Sequence, residues 1–172
     1  SVFRLRLSVA EALAPSTDPL PSSDRRQPVG IVSSPGRAHL LVVEDEEAVA
    51  ALMARTLSQQ ACEVTTVNGG RGALAALEGK GFDLILCDLM MPGMSGEDLY
   101  REVVRRWPEL ARRFVFLTGG AFTPRGRQFL ASVPAPVLEK PFQIAELVRL
   151  VNTCLRTTSE NGRSRAGETQ LG

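Results

Sequence analysis

Five reactive side chains stand at or just after the ends of short apolar runs. Glu44 and Asp45 follow residues 40–43, Asp88 follows 82–87, Thr118 follows 114–117, and Lys140 follows 137–138. Gathered together, three carboxylates repel one another unless one is protonated or a cation bridges them. A hard divalent ion resolves that conflict, and Mg²⁺ favours few carboxylates, several waters and a substrate phosphate. With its charge so screened, Asp88 can attack a phosphoryl group and form an acyl phosphate. Lys140 can pair with one phosphate oxygen and the Thr118 hydroxyl can donate to another. Each piece alone has a plainer reading. An acidic pair after a strand caps a helix, a single Asp at a strand end makes a turn, Lys-Pro makes a turn, and Thr-Gly-Gly makes a loop. The placement of all of them on successive strand ends favours one joint site.

The elements that must position these groups read off the hydrophobic periodicity. Residues 39–43, 62–67, 82–87, 114–117 and 137–138 read as strands. Helical spacing is expected after the first strand (Val49, Leu52, Met53, Leu57), over 71–78, over 96–107, over 124–132, and from Ile144 through Leu155. Five strands alternating with five helices specify an α/β fold with a parallel sheet. The runs at 40–43 and 114–117 are apolar throughout, which suits central strands covered on both faces. In a doubly wound, flavodoxin-like sheet of order 2-1-3-4-5, the first and third strands are neighbours at the point where strand order reverses. Ligands bind there, at the carboxyl ends of the strands. Glu44, Asp45 and Asp88 are expected to converge at that point.

Composition narrows the class. Lys and Arg number 20 against 19 Asp and Glu, for a net charge of +1, so no broad basic surface for nucleic acid is expected. The three cysteines, Cys62, Cys87 and Cys154, are odd in number and scattered. That argues against a disulfide framework or zinc site and for a reducing, cytoplasmic compartment. No apolar run approaches the roughly eighteen residues of a membrane span, and the first residues do not form a secretory signal. Residues 1–10 alternate as a strand does (Phe3, Leu5, Leu7 and Val9 on one side) and read as the last strand of a preceding domain. Residues 11–37 have linker composition, rich in Pro, Ser, Asp and Gly. The main domain is expected over 38–157, and a polar tail over 158–172 is expected to be disordered, with fraying beyond Arg156.

Four segments, Leu41-Val-Val-Glu-Asp-Glu-Glu47, Asp83-Leu-Ile-Leu-Cys-Asp-Leu-Met-Met-Pro-Gly-Met-Ser-Gly96, Phe116-Leu-Thr-Gly-Gly120 and Leu138-Glu-Lys-Pro-Phe142, resemble the motifs of bacterial response-regulator receiver domains. The resemblance covers about Ala38 to Leu155. It implies that Asp88 accepts phosphate from a histidine kinase or a histidine phosphotransfer protein. It also implies that Asp45 and Asp88 bind Mg²⁺ with the backbone carbonyl of Met90, that Glu44 acts through water, and that Thr118 and Lys140 read the phosphate. The Lys140–Pro141 bond is expected to be cis. The strand at 1–10 resembles the end of a histidine-kinase ATP-binding domain. Strand, linker and receiver in that order resemble the tail of a hybrid sensor histidine kinase, whose parent chain would be the protein kinase. This fragment carries no kinase core, and a monomer or weak dimer is expected.

The sequence departs from the receiver pattern at Val137, where receivers usually place an aromatic ring that swings inward as the threonine engages phosphate. His39 opens a strand and is a poor phosphodonor. Asn68-Gly-Gly-Arg-Gly72 lacks the Lys-Ser/Thr ending of a phosphate-binding loop and reads as a helix entry. Two other classes compete. A non-phosphorylated pseudo-receiver serving as an interaction module is disfavoured by the joint presence of Glu44, Asp45, Asp88, Thr118 and Lys140. A haloacid-dehalogenase-type phosphatase needs a second Asp where Met90 stands.

Overall fold

The computed structural model describes residues 37–119 and 123–166, with side chains as far as Thr158. Strands and helices alternate as β1 (Ala38–Val43), α1 (Glu47–Ser58), β2 (Cys62–Val67), α2 (Gly69–Gly79), β3 (Leu84–Asp88), α3 (Gly96–Arg106), β4 (Phe114–Gly119), α4 (Pro124–Ser132), β5 (Val137–Lys140) and α5 (Ile144–Ala166). The five strands form one parallel sheet in the order β2-β1-β3-β4-β5. This is the expected doubly wound, flavodoxin-like arrangement. β1 and β3 are neighbours, with Val43 opposite Cys87, so Glu44 and Asp88 leave the sheet side by side.

The period-2 alternation of the strands divides the core in two. Leu41 and Val43 of β1, Ile85 and Cys87 of β3, and Phe114 and Phe116 of β4 pack with Ala73, Leu77, Leu99, Tyr100, Val103 and Phe129 of α2, α3 and α4. Leu40, Val42, Leu84, Leu86, Val115 and Leu117 pack the other way, with Met53 and Leu57 of α1 and Leu147, Val151 and Leu155 of α5. Each fully buried aliphatic or aromatic side chain contributes roughly 1.5–3 kcal/mol. A polar residue anywhere in these three central strands would therefore unseat a helix on one face.

The structure shifts several expected boundaries. Asp88 is the last residue of β3, Thr118 lies inside β4 and Lys140 closes β5; all three are held by sheet backbone, not by the loops that follow. A 3-10 helix at Pro108–Arg113, not expected from the sequence, links α3 to β4. The last helix also departs from expectation. Fraying was expected after Arg156, but the helix runs to Ala166. No proline interrupts it, and the Thr157 and Thr158 hydroxyls donate back to the carbonyl of Cys154, at 2.8 and 3.0 Å. The expected strand at 1–10, most of the linker at 11–37 and the end of the tail at 167–172 lie outside the described residues.

Candidate phosphoacceptor site

The site is built at the carboxyl ends of β1, β3 and β5. α3 fixes the middle one. Ser95 caps α3 in a capping box, its hydroxyl accepting from the Asp98 amide at 3.1 Å while the Asp98 carboxylate accepts from the Ser95 amide at 3.3 Å. Gly96 then lies hard against the backbone of the acidic residue. A Cβ there would fall 2.5 Å from the carbonyl oxygen of Asp88 and 2.9 Å from Cα of Leu89. Gly93 turns the loop with φ of +79°, a conformation that favours glycine. Within this frame the Met90 amide donates to Asp88 Oδ1 at 3.0 Å, fixing the carboxylate from behind. The Met90 side chain itself stands exposed.

Glu44, Asp45 and Asp88 come together, with a carboxylate oxygen from each lying within 4.8 Å of the others. Lys140 reaches them from β5. Its Nζ donates to Glu44 Oε2 and to Asp88 Oδ2, both at 2.7 Å. The Lys140–Pro141 bond is cis, as expected. The Glu44 side chain is 0% exposed, that of Asp88 9% and that of Lys140 21%. The like charges anticipated from the sequence are thus gathered, and an ammonium ion is the cation between two of them. Burial raises the Glu44 carboxyl above its usual value; Lys140's hydrogen bond opposes that rise and the charge of Asp88 adds to it. For Lys140, burial works against the charged form, but the hydrogen bonds and charges of Asp88 and Glu44 outweigh it and hold the ammonium pKa above its ordinary value.

Thr118 completes the constellation. Leu117 is paired with Asp88 across β3 and β4, so Thr118 stands at the same edge of the sheet. Its hydroxyl is buried and has no hydrogen-bond partner. A buried unsatisfied hydroxyl is costly, and an oxygen-rich group on Asp88 would supply the missing acceptor. The cysteines take no part: all three are buried and unpaired. Burial, with the charge of Asp83 adding, pushes the Cys62 thiol up to about 11. Burial, reinforced by Asp88 and Glu44, raises Cys87 further. His39 faces Glu63 at 3.2 Å near the amino end of β1, at the edge of the sheet opposite the site. The 68–72 segment is the expected helix entry, with Asn68 at the N-cap and φ of +80° at Gly69.

Comparison with known proteins gives this geometry a family. The response regulator receiver domain matches residues 40–152, well over half of the sequence. The chain belongs to that family. This receiver is 34% identical over 121 residues to the transcriptional regulatory protein YkoG of Bacillus subtilis, covering 70% of the chain and 52% of YkoG. It is 45% identical over 67 residues to the sensory transduction protein RegX3 of Mycolicibacterium smegmatis, 39% of this chain and 29% of that protein. The receiver thus spans from about a third to about half of these relatives. Similarity to the sensor protein GacS of Pseudomonas syringae is weaker, at 28% identity, but runs over 98% of this chain and 19% of GacS. Among solved structures, the Vibrio cholerae chemotaxis protein CheY4 superposes with a TM-score of 0.63 at 28% identity, covering 69% of this chain and 99% of that one. The receiver domain of a signal transduction histidine kinase from Syntrophus aciditrophicus gives 0.62 at 25% identity, covering 78% and 95%.

The sequence singled out Glu44, Asp45, Asp88, Thr118 and Lys140, and the structure places all five at one edge of the sheet. It did not anticipate that Lys140 bridges Glu44 and Asp88. It also missed Glu97, a buried carboxylate on the first turn of α3 that carries two arginines. The Ser95-to-Asp98 spacing was a readable sign of the α3 cap; nothing in the sequence pointed to the Glu97 pairing with Arg125, 28 residues away.

Proposed function

We propose that this receiver accepts a phosphoryl group from a phosphohistidine onto Asp88 and passes on or gates a signal in a two-component relay. The supporting observation is the sharing of one ammonium, Lys140, by Asp88 and the fully buried Glu44 inside a three-carboxylate cluster. Asp88 Oδ attacks phosphorus, the P–N bond to the imidazole breaks, and the imidazole leaves with the electron pair and takes a proton. Lys140 turns from Asp88 to a phosphoryl oxygen, and the orphaned Thr118 hydroxyl donates to another.

A donor set of carboxylate oxygens suits a hard cation and not a soft one. Asp45 and Asp88, with the Met90 carbonyl, would hold Mg²⁺, and Glu44 would act on it through water. When bound, Mg²⁺ supplies neutralisation of the charge that gathers on the transferring group. The Lys140 ammonium holds part of that role in its absence.

The donor is a histidine kinase or histidine phosphotransfer protein. Similarity to the sensor protein GacS along nearly the whole chain, residues ahead of the receiver included, supports a hybrid sensor kinase as the parent. A cytoplasmic location fits three unpaired thiols. Among the described residues, no helix is long and apolar enough to cross a membrane.

The test is uptake of phosphate from acetyl phosphate or a phosphorylated kinase in Mg²⁺, read by intact mass and acid-labile phosphate. Wild type should gain one phosphoryl group and Asp88→Asn none; labelling should also stop when Mg²⁺ is chelated. Equal uptake by Asp88→Asn would overturn the assignment.

A further inference from the structure

α4 is lightly moored. Only Phe129 of its nine residues is buried, and that ring sits edge-on to Tyr100 and Phe116. An element with so few buried contacts lies at the low-stability end of a fold. Leu130 packs half-buried against the same core, and the first turn carries an electrostatic anchor. Arg125, in the first turn of α4, places Nη2 3.3 Å from Oε1 of Glu97 in the first turn of α3. The Arg125 side chain is 77% exposed and that of Glu97 only 10%.

Two features show that this contact outweighs local preference. A cation in the first turn of a helix opposes the macrodipole, and α4 has no acidic residue there to offset it; Arg125 finds its counter-charge on another helix. Glu97, for its part, is not dependent on Arg125. Arg101 on the same helix also donates to Oε1, at 2.8 Å, so the buried carboxylate stays paired when Arg125 departs. The pair can therefore open without stranding a buried charge.

Its location links it to the acceptor. Glu97 follows Gly96, which rests on the backbone of Asp88 and Leu89, and a Cβ at Gly126, which follows Arg125, would lie 3.8 Å from Leu89 Cδ2. The first turns of α3 and α4 thus meet over the residue next to Asp88, and the ion pair fastens them there. Thr118, whose hydroxyl lacks a partner, lies on the strand that leads into α4.

We propose that the Glu97–Arg125 pair is a latch that holds α4 in its resting position and opposes the rearrangement that follows loading of Asp88. The proposal rests on the phosphoacceptor reading above. Drawing Thr118 toward a phosphoryl group pulls on the chain entering α4, and the latch resists. A contact that favours only the resting state lowers affinity for any ligand of the other state by the same factor.

The experiment uses the whole chain with Arg125→Ala, Arg125→Lys, Glu97→Gln and the Glu97→Gln/Arg125→Ala double variant, with beryllofluoride and Mg²⁺ as the phosphoryl probe. Amide exchange should quicken at Gly126 and Arg127 by roughly two- to fivefold in Arg125→Ala, with β1 and β3 unchanged. Arg125→Lys should restore most of the protection, and the double variant should be no faster than Arg125→Ala alone. Beryllofluoride affinity should rise in Arg125→Ala by a similar factor. The sign is discriminating, because removing a cation from a helix N-terminus by itself would slow exchange there. Unchanged or slower exchange, additive effects in the double variant, or equal probe affinity in wild type and Arg125→Ala would overturn the latch. Failure of wild type to bind beryllofluoride would instead be the failure of the Asp88 reading and would overturn the coupling with it.

Discussion

Lys140→Met isolates the electrostatics of the resting site. It removes the cation that, among the described residues, touches both Glu44 and Asp88, each at 2.7 Å, while keeping most of the side-chain volume. Removing one partner of a buried ion pair typically costs about 3–5 kcal/mol. Lys140 is partly open to solvent, so the lower end applies, about 3 kcal/mol in the absence of divalent ions. At roughly 4 °C per kcal/mol for a domain of this size, the melting temperature in chelator should fall by about 12 °C. Two reliefs are available. Glu44, already raised by burial with the charge of Asp88 adding, can take up a proton. A raised carboxyl contributes stability that is present at low pH and lost as pH rises through its folded value, so the deficit of the variant should shrink as pH falls toward 5. Mg²⁺ is the second relief: at about one hundred times its dissociation constant it returns about 2.7 kcal/mol. It should stabilise the variant more than wild type, where the ammonium competes for the same oxygens. The assay is thermal melting of both proteins across pH, in chelator and in Mg²⁺. A variant melting within about 2 °C of wild type in chelator, or an identical Mg²⁺ response in the two proteins, would refute the argument.

Two further outcomes follow from the way α3 holds the acceptor loop. Gly96→Ala puts a methyl 2.5 Å from the Asp88 carbonyl oxygen and 2.9 Å from Leu89 Cα; neither backbone atom can yield freely, so denaturant melts should show a loss of about 1–3 kcal/mol and the rate of phosphate uptake should drop. Ser95→Ala removes the α3 cap and should cost about 1 kcal/mol at neutral pH. The Ser95 hydrogen bond holds the Asp98 carboxyl below its usual value. The contribution of that carboxyl is therefore present above its unfolded value and lost as pH falls through the folded one, and the gap between wild type and Ser95→Ala should narrow in acid.

The sheet was legible because its strands are buried on both faces. Leu40–Val43 and Phe114–Leu117 suit strands covered on both faces of a parallel sheet, and once the strand order follows, the convergence of Glu44, Asp45 and Asp88 is a matter of topology. Thr118 and Lys140 were legible for the same reason. What escaped the sequence depends on long-range side-chain choices. Glu97 reads as an ordinary acidic residue in the first turn of a helix, where the dipole alone would justify it. Only the structure shows it buried and joined to Arg125. The 3-10 helix after Trp107 escaped because Pro108 marks a helix end as readily as a new start. The length of α5 escaped because polar, hydroxyl-rich sequence gives no amphipathic signal, yet its hydroxyls bond back to the helix itself.

The site and the latch together bear on the substitution at Val137. Val137 opens β5 opposite Phe116 and is 41% exposed, so this strand offers no ring to follow Thr118 inward. The rings in mutual contact on this face of the sheet belong instead to α3, β4 and α4: Tyr100, Phe114, Phe116 and Phe129. Phe129 is the only buried residue of α4, and Thr118 continues the alternating row of Phe114 and Phe116 on β4. A displacement of Thr118 therefore acts on α4 at two points, through the packing of Phe129 at its middle and through the chain that enters its first turn. The first contact is apolar and tight. The second is a single exposed arginine on a carboxylate that keeps another partner, and of the two it is the one that can let go.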